Sequence, residues 1–386
     1  MSYKYRLATS SWDRAEYEAV QQVIESGMFT MGKRVRTFEE HFAHYIGRRY
    51  AVMVNSGSSA NLLMTAALFY TGTDPLRPGD EVIVPAVAWS TTYFPFHQYG
   101  LALRFVDIDA ETLNYDLDQL ESALNDRTRL VMAVNLLGNP NDFDRISHAT
   151  KGLSIRLIED NCEAMGAEFN GSKTGTFGVM SSFSSFFSHH MSTMEGGLVV
   201  TDDEELYHIL LSLRAHGWTR DLPSVNRVTG TKSDDPFVES YRFVLPGYNV
   251  RPLELSGAIG IEQLKKLPTM IDRRRRNAAL IRQVLEDHPD IMIQKEIGQS
   301  SWFGFSMVIR KGSKLERRDL MRRLEHLGFE CRPIVAGNFA RNDVMKYLKA
   351  DIHGTLDNAD HIHTHGLFIG NNQDAMDEAI EQLKRL

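Results

Sequence analysis

Three acidic residues end one of the most apolar strands that the sequence predicts, and they are the first candidates for chemistry. The run Leu157-Ile158-Glu159-Asp160-Asn161-Cys162-Glu163 carries its carboxylates directly after hydrophobic residues. A carboxylate at a buried strand end costs free energy unless a cation or an N–H group neutralises it. A protonated pyridine nitrogen is one such cation. The alternative, an acid that only caps the next helix, explains a cluster of acids less well.

A second candidate is an anion site at the start of a helix. The run Asn55-Ser56-Gly57-Ser58-Ser59-Ala60-Asn61 follows a predicted strand and opens a predicted helix. Its backbone N–H groups and hydroxyls lie at the positive end of that helix, where phosphate binds well. Ordinary helix capping explains the same residue types, so this motif alone leaves both interpretations open.

A tryptophan just after a predicted strand is the third candidate. The run Pro85-Ala86-Val87-Ala88-Trp89-Ser90-Thr91-Thr92 comes directly after a strand, at the carboxyl edge where open α/β sheets bind ligands. Trp89 in that place stacks well on a flat heteroaromatic ring. A tryptophan buried between helix and sheet is an equal alternative.

Metal and iron–sulfur chemistry are not expected. The sequence contains only Cys162 and Cys331, too few for a disulfide framework or for the ligands of a cluster. His189 and His190 are adjacent, and in a strand they would point to opposite faces instead of converging on one ion. No metal site is predicted.

An alternation of strands and helices has to position these candidates. Short apolar, β-branched runs alternate with helical stretches at residues 51–54, 61–70, 81–84, 103–106, 117–124, 130–137 and 155–158. This pattern predicts an α/β fold with a mainly parallel sheet and helices on both faces. An amphipathic helix precedes it, with Ser11 as the predicted N-cap and Gly27 as the predicted stop.

The last third of the chain has a different pattern of predicted elements. Charged helical stretches at 262–286, 315–327 and 374–386 enclose one strand-like run at 301–309. We therefore expect an N-terminal arm and large domain over residues 1–260, and a smaller α+β domain over residues 261–386. A packed hinge is expected between them, since no linker-like segment separates them.

Composition narrows the class of protein. The chain has 386 residues and a formal net charge of -7, with the two signs interspersed and no basic block of the kind that nucleic acid requires. No stretch reaches the ~20 apolar residues of a membrane span, and the start lacks an apolar leader. We expect a cytoplasmic enzyme without nucleic-acid or membrane partners.

One stretch resembles a known family. Residues 183–197 are similar to the cofactor-lysine segment of the DegT/DnrJ/EryC1/StrS family of sugar aminotransferases, which use pyridoxal 5'-phosphate (PLP). The family segment runs Ser-Phe-x-x-x-Lys, then five residues, then Glu-Gly-Gly. Counting back from Glu195 without a gap puts Ser184 on the phosphate-binding serine and His189 on the lysine. Further matching motifs follow in the family's order, at residues 26–32, 56–58, 89, 106–109, 159–160, 175–178 and 247–251.

The resemblance implies an aspartate aminotransferase-like fold (fold type I) and a complete cofactor site. Asp160 would pair with the pyridine nitrogen and Trp89 would stack on the ring, while Glu163 stands where aminotransferases carry Gln, beside the ring hydroxyl. The phosphate would be held by three residues of one subunit and by one residue of its neighbour in a homodimer with composite sites. Those four residues are Gly57, Ser58, Ser184 and, from the neighbour, Asn249.

Within the family, the chain looks most like the colitose-pathway branch, which also has His at the lysine position. Residues 28–32, 214–220, 302–305 and 331–334 carry this likeness. It implies removal of the C3 hydroxyl of a 4-keto-6-deoxy sugar nucleotide, above all the GDP-linked 4-keto-6-deoxy-D-mannose, with L-glutamate as amino donor. The substrate-side residues would be His216, Arg220, Arg251 and Arg332, for which ordinary surface roles are the alternative.

The missing lysine changes the expected chemistry. Without an ε-amine the cofactor, as PLP or as its amine form PMP, is expected to bind noncovalently. An imidazole with a pKa near ~6.5 still transfers protons at neutral pH, an effect worth roughly 10²- to 10⁴-fold. We therefore expect His189 to serve two half-reactions, one with glutamate and one with the sugar. Two cysteines exclude the iron–sulfur branch of related dehydratases.

Three alternatives stay open at this point. The chain could be a sugar aminotransferase that uses another lysine, of which Lys173 in a predicted turn is the nearest in sequence. It could be a non-catalytic PLP-binding regulatory protein, although the titratable group at 189 and the otherwise intact pocket argue against a loss of catalytic function. Finally, His190 could replace His189 as the base, although a structural role is favoured for it.

Overall fold

The computed structural model describes residues 3–386. Its strands are β1 (Tyr50–Val54), β2 (Glu81–Pro85), β3 (Ala102–Val106), β4 (Thr128–Val134), β5 (Arg156–Asp160), β6 (Glu168–Phe169), β7 (Ser172–Lys173), β8 (Met180–Ser184), β9 (Gly197–Thr201), β10 (Val225–Asn226), β11 (Gly230–Thr231), β12 (Ile291–Ile293), β13 (Gly304–Ile309), β14 (Cys331–Arg332), β15 (Ala350–Ile352) and β16 (Gly366–Gly370). Its α-helices are α1 (Arg14–Ser26), α2 (Lys33–Ile46), α3 (Gly57–Tyr70), α4 (Ser90–Gln98), α5 (Leu117–Ala123), α6 (Phe143–Thr150), α7 (Glu204–Arg214), α8 (Pro236–Glu239), α9 (Glu254–Leu285), α10 (Arg317–His326), α11 (Asp357–His365) and α12 (Asp377–Leu383).

The large sheet has eight strands in the order β1-β9-β8-β5-β4-β2-β3-β15. The pairs from β8 to β15 are parallel, and only β9 runs antiparallel to its neighbours β1 and β8. All of β2 is buried, as are residues 130–134 of β4, because helices cover both faces. The predicted mainly parallel α/β sheet is confirmed.

Two predicted boundaries are wrong for local reasons. The strand predicted over residues 130–137 ends at Val134, because the chain turns through the left-handed residues Leu137 (φ 53) and Gly138 (φ 92). The first helix is capped by Asp13, whose carboxylate accepts from the backbone while Glu16 completes a capping box. Ser11, the predicted cap, instead donates its hydroxyl to Gln263 at 2.6 Å.

The small sheet has four strands in the order β12-β13-β16-β14, and α9 leads into it. Helix α9 spans 32 residues, and the predicted boundary between residues 260 and 261 falls inside it. The chain also returns to the large sheet, because β15 pairs in parallel with β3. The division into two domains at residue 260 therefore stays a prediction.

Within residues 3–386, no helix combines the length and the hydrophobicity that a bilayer crossing requires.

Candidate active site

Asp160 ends β5 as a buried carboxylate with three neutral donors. Its Oδ2 accepts from Asn61 Nδ2 and from Thr92 Oγ1, each at 2.8 Å, and its Oδ1 accepts from the Cys162 N–H at 3.1 Å. The residue is 6% exposed. Among the ion pairs of residues 3–386, none involves Asp160, so its charge is oriented but not neutralised. A buried carboxylate in this state is suited to a cation that the chain itself does not provide.

Asn61 and Thr92 were not predicted as site residues. Each lies near the start of a helix, Asn61 as the fifth residue of α3 and Thr92 as the third of α4, inside a motif that was recognised for other residues. The signal that points to them is helical spacing, because residues three or four positions into a helix face the same side as its start. Their amide and hydroxyl meet at Asp160 because β5 ends between the two helices.

The turn before α3 is a cradle of small residues. A Cβ atom on Gly57 would lie only 2.7 Å from Ser184 Cβ and 2.8 Å from Cys162 Sγ, so only glycine fits between α3 and β8. Ser58 Oγ lies 2.8 Å from Thr91 Oγ1. Ser56 is the N-cap of α3 and accepts from the Ser59 N–H at 3.1 Å. Capping therefore falls to Ser56, while Gly57 and Ser58 occupy the first turn beside Ser184.

Trp89 is 59% exposed, so the alternative of a tryptophan buried between helix and sheet is wrong. It is the N-cap residue of α4, and its carbonyl accepts from the Thr92 N–H at 3.0 Å. The same turn thus carries an open indole and, in Thr92, one of the donors to Asp160.

His189 lies in the loop that joins β8 to β9, not in a strand as its treatment with His190 assumed. The base of the loop is closed by Ser185 and Thr193, whose hydroxyls are 2.6 Å apart. The half-buried His189 ring packs against Phe303, with centroids 5.1 Å apart, and against Phe186 at 6.0 Å. Its Nδ1 atom is buried and has no hydrogen-bond partner among the described residues.

The environment of the His190 side chain differs from that of His189. It is 1% exposed, and its Nε2 lies 3.2 Å from the carbonyl oxygen of Ser301. Its ring contacts the same Phe303, at 5.7 Å between centroids. This burial and the link to residue 301 fit the structural role that was favoured for His190.

The pKa values of two groups are moved in opposite directions. Burial, reinforced by the positive charge of Arg274, lowers the pKa of His189 to about 4. Burial raises the pKa of Glu163 to about 7, and the charge of Asp160 adds to this against the hydrogen bond from Leu137. Between these values the imidazole is neutral and the carboxyl group is protonated. A neutral base and a protonated acid are the two states that proton transfer requires.

A backbone connection joins these two groups. Glu163 Oε2 accepts from the Leu137 N–H at 2.9 Å, and the Leu137 carbonyl accepts from the Phe303 N–H at 2.9 Å. The Phe303 ring then packs on His189. The segment before β13 therefore contacts His189 through the Phe303 ring, and it contacts the Leu137 turn that binds Glu163. The sequence did not predict these contacts.

The predicted substrate residues His216 and Arg220 lie in a separate aromatic cluster. The His216 ring is 5.1 Å from the Trp218 ring, and the Arg220 guanidinium lies 4.1 Å from the Trp218 centroid. His216 has a left-handed backbone (φ 64), which is uncommon for a residue with a side chain. Their side-chain contacts do not link them to Asp160, so their role stays a prediction.

The remaining predicted residues are exposed or half-buried. Asn249 Oδ1 accepts from Arg251 Nε at 3.0 Å, and the carbonyl of Val250 between them accepts from the Asn55 N–H at 2.9 Å. This segment therefore lies beside the cradle of its own chain. Arg332 on β14 pairs with Glu330 at 3.1 Å, and its side chain is 63% exposed.

Lys173 does not lie in a turn, as predicted, but in the short strand β7. Its Nζ atom lies 5.0 Å from the centroid of the Tyr45 ring. Its strand pairs with β6, outside the large sheet. Nothing in these contacts brings the amine to Asp160 or to the cradle at Gly57.

Comparison with known proteins agrees with this geometry. The model of the DegT/DnrJ/EryC1/StrS aminotransferase family matches residues 11–384. The GDP-4-keto-6-deoxy-D-mannose 3-dehydratase of Yersinia pseudotuberculosis is 58% identical over 380 residues, which cover 98% of this chain and 97% of the relative.

Solved structures show the same similarity. The structure of an E. coli GDP-4-keto-6-deoxy-D-mannose-3-dehydratase with bound hydrated PLP is 57% identical with a TM-score of 0.99, over 100% of this chain and 99% of that chain. A structure of GDP-4-keto-6-deoxymannose-3-dehydratase with a trapped PLP–glutamate geminal diamine is 57% identical with a TM-score of 0.98, over 99% of both chains. The predicted aspartate aminotransferase-like fold (fold type I) is confirmed.

Proposed function

The chain belongs to the DegT/DnrJ/EryC1/StrS aminotransferase family, and from this premise we propose that it is a PLP-dependent 3-dehydratase acting on GDP-4-keto-6-deoxy-D-mannose. The observation that carries the proposal is His189. The loop between Ser184 and Gly197 has a histidine where the family has its lysine, and it contains no lysine at all. An aminotransferase needs that amine, whereas a dehydratase needs only a base.

Two features of the site fit PLP. The buried carboxylate of Asp160 lacks a cationic partner among residues 3–386, which leaves it available to pair with a protonated pyridine nitrogen. The cradle at Gly57 excludes any side chain and sets hydroxyls at the start of a helix, as a phosphate requires. When bound, PLP would supply an electron sink, and through its amine form PMP the site would pass nitrogen and an electron pair from glutamate to the sugar.

The residues divide the remaining work. Asp160, fixed by Asn61 and Thr92, would pair with the protonated ring nitrogen, and the open face of Trp89 would stack on the ring. His189 accepts and returns the proton in both half-reactions, because its imidazole is neutral at physiological pH. The protonated Glu163 donates a hydrogen bond beside the ring hydroxyl.

The overall reaction balances with glutamate as reductant. L-Glutamate is oxidised to 2-oxoglutarate and ammonia, the C3–O bond of the sugar breaks, and C3 becomes a methylene group. The product is a GDP-linked 4-keto-3,6-dideoxy sugar that is lighter than the substrate by one oxygen atom. An aminotransferase would instead leave the nitrogen on C4 of the sugar.

The direct test is incubation of the purified protein with PLP, L-glutamate and GDP-4-keto-6-deoxy-D-mannose. We expect equal amounts of ammonia and 2-oxoglutarate, and a sugar product that has lost one oxygen. A stable amino sugar without free ammonia contradicts the proposal and supports the aminotransferase alternative. Cofactor binding without turnover supports the regulatory alternative.

The pH dependence gives a prediction for Glu163. Its proton is lost as the pH rises through about 7, so kcat/KM of the wild type is expected to fall there. In Glu163→Gln the amide donates at every pH, and this basic limb is expected to disappear. The measurement is kcat/KM between pH 5 and 9, and a basic limb that persists unchanged in the variant rules out Glu163 as the titrating group.

The cradle gives a prediction for Gly57. In Gly57→Ala the new Cβ meets Ser184 Cβ at 2.7 Å, so α3 and β8 must move apart. We expect PLP to bind at least about tenfold more weakly, since a displaced phosphate loses charge-assisted hydrogen bonds. Titration of the apoprotein with PLP, followed by absorbance, measures the change. Gly79→Ala is the matched control, because no atom lies within 4 Å of a Cβ there, although its φ of 99 costs some stability.

We also propose the homodimer with composite sites, in which Asn249 reaches the neighbour's phosphate. Large apolar side chains that lie open next to one another support it, because such patches mark protein interfaces. Met28 is 56% exposed, Phe29 is 52% exposed and Leu253 is 57% exposed, and Glu254 N–H bonds the Phe29 carbonyl. Light scattering tests the dimer, and a monomeric mass at micromolar concentration contradicts it.

The proposed product is a dideoxy sugar unit of the colitose type, as used in lipopolysaccharide. We place the enzyme in the cytoplasm because its substrates are a nucleotide sugar and free glutamate. Cell fractionation with an antibody against the chain tests this location, and recovery in a secreted or membrane fraction contradicts it.

A further inference from the structure

Arg274 is an unusual residue near the proposed base. It lies on α9, is 3% exposed, and donates from one terminal nitrogen to the carbonyl oxygens of Phe303, at 3.0 Å, and of Asn371. Its Nε atom is buried without a hydrogen-bond partner among the described residues. No carboxylate in residues 3–386 forms an ion pair with it, and only the more distant charge of Asp374 acts in its favour, so most of the positive charge of this buried guanidinium is not compensated.

The position of this charge connects it with His189. The carbonyl that Arg274 binds belongs to Phe303, whose ring packs against both His189 and His190. After burial itself, the Arg274 charge is the main cause that lowers the pKa of each imidazole. Burial lowers the pKa of Arg274 only to about 10, which leaves it charged at neutral pH.

We propose that Arg274 is a positioning residue for His189. Its side chain holds the Phe303 main chain, and through it the ring that packs on the imidazole. Its positive charge disfavours a proton on His189 within the seam that Arg274, Phe303 and His189 form. The imidazole therefore stays neutral and able to accept a proton. This inference rests on the proposed function, in which His189 is the base.

Of the other charged groups near Arg274 and His189, Arg275 adds positive charge, and Asp374 acts on Arg274 without forming an ion pair with it. On α9, Arg275 donates to the carbonyls of Ser300 and Gly166, and its charge also disfavours a proton on His190. On the loop, His190 is itself neutral because burial lowers its pKa. On the far side, Asp374 raises the pKa of Arg274 and so keeps it charged.

The acid on the cofactor side of the seam does not supply a counter-charge either. Glu163 is connected to Phe303 through Leu137, and its pKa of about 7 keeps much of it protonated at neutral pH. The net charge that acts on His189 from the elements packed around it is therefore positive.

The test measures the proton affinity of His189 directly, in the apoprotein, by NMR of ¹³C-labelled histidine assigned with His189→Asn. In the wild type we expect the pKa of His189 to lie well below the ordinary ~6.5. In Arg274→Met we expect it to rise by about one unit, the scale that a neighbouring charge produces. Arg274→Lys retains the charge and should leave the pKa close to the wild-type value.

Arg273→Met is the matched control, because Arg273 lies next to Arg274 on α9 but is exposed and donates to Gln373 O at 3.3 Å. It should leave the titration unchanged. An unchanged pKa of His189 in a folded Arg274→Met overturns the proposal. If that variant does not fold, a wild-type pKa at or above ~6.5 overturns it equally.

Activity separates this inference from the proposed function. In Arg274→Met the acid limb of kcat/KM should move upward together with the pKa of His189. If the NMR titration moves and the acid limb does not, Arg274 sets the pKa of His189 but His189 is not the base, and the positioning role of Arg274 in catalysis fails with that assignment. If neither moves, the inference about Arg274 is wrong while the dehydratase function stands on its product assay.

Discussion

Replacement of His189 by asparagine is expected to lower kcat by about 10²- to 10⁴-fold, the usual value of a well-placed proton carrier. The smaller amide keeps a polar group at this position, but it has no basic nitrogen and accepts no proton at neutral pH, and it also loses part of the ring contact with Phe303. Both half-reactions should slow, because the same imidazole serves glutamate and the sugar. PLP binding should stay within about threefold, since no phosphate or ring contact is assigned to His189.

The two half-reactions are measured separately. Formation of 2-oxoglutarate from glutamate reports the first, and release of ammonia from PMP-loaded enzyme with the sugar nucleotide reports the second. His190→Asn is the matched control, and it should mainly lower thermal stability, because His190 is 1% exposed and linked to Ser301. Full activity in His189→Asn together with its loss in a folded His190→Asn would reverse the assignment of the base.

Replacement of Asp160 by asparagine is expected to have the second large effect. The amide oxygen keeps the hydrogen bonds from Asn61 and Thr92, but the amide nitrogen cannot accept from the Cys162 N–H, and the charge that pairs with the ring nitrogen is lost. Loss of one partner of a buried ion pair costs about 3–5 kcal/mol, so we expect PLP to bind at least about 10²-fold more weakly. The rate should fall as well, because an unprotonated ring withdraws electrons less strongly.

The apoprotein should respond to Asp160→Asn in the opposite sense. Without cofactor the wild-type carboxylate is buried and unpaired, so its removal should leave the melting temperature unchanged or raised. Asp107→Asn is the matched control, because Asp107 is also buried but binds the Asn358 and Ala359 N–H groups at the start of α11. It should destabilise the fold and leave PLP affinity unchanged. Equal loss of affinity in both variants would mean that Asp160 acts through the fold.

Much of the fold was predictable because its signals are local. The β-branched runs between helical stretches predicted the mainly parallel sheet, and burial on both faces explains why β2 and β4 are apolar after their first residues. The errors lie where a few residues compete on nearly equal terms. Asp13 replaces Ser11 as the cap because Glu16 completes a capping box with it, and β4 ends early because Leu137 adopts a left-handed turn.

The tertiary structure corrected the interpretation of single side chains. Whether Trp89 is buried or open depends on how α4 leaves the sheet, and no pattern in the sequence decides it. Asn61 and Thr92 meet at Asp160 only because three separate elements end at one edge. Such meetings are long-range, and a hydrogen bond between residues 68 or 99 positions apart leaves no local signal.

The sequence alone determined the family, the class of cofactor and the loss of the lysine, because these depend on residue types at set spacings. His189 is visible in it, and so is the outcome that its chemistry predicts. Only the tertiary structure decided what surrounds that imidazole: Phe303 from the segment before β13 and Arg274 from α9. The physical reason is that a proton affinity depends on burial and on nearby charges, and here both come from parts of the chain far from residue 189.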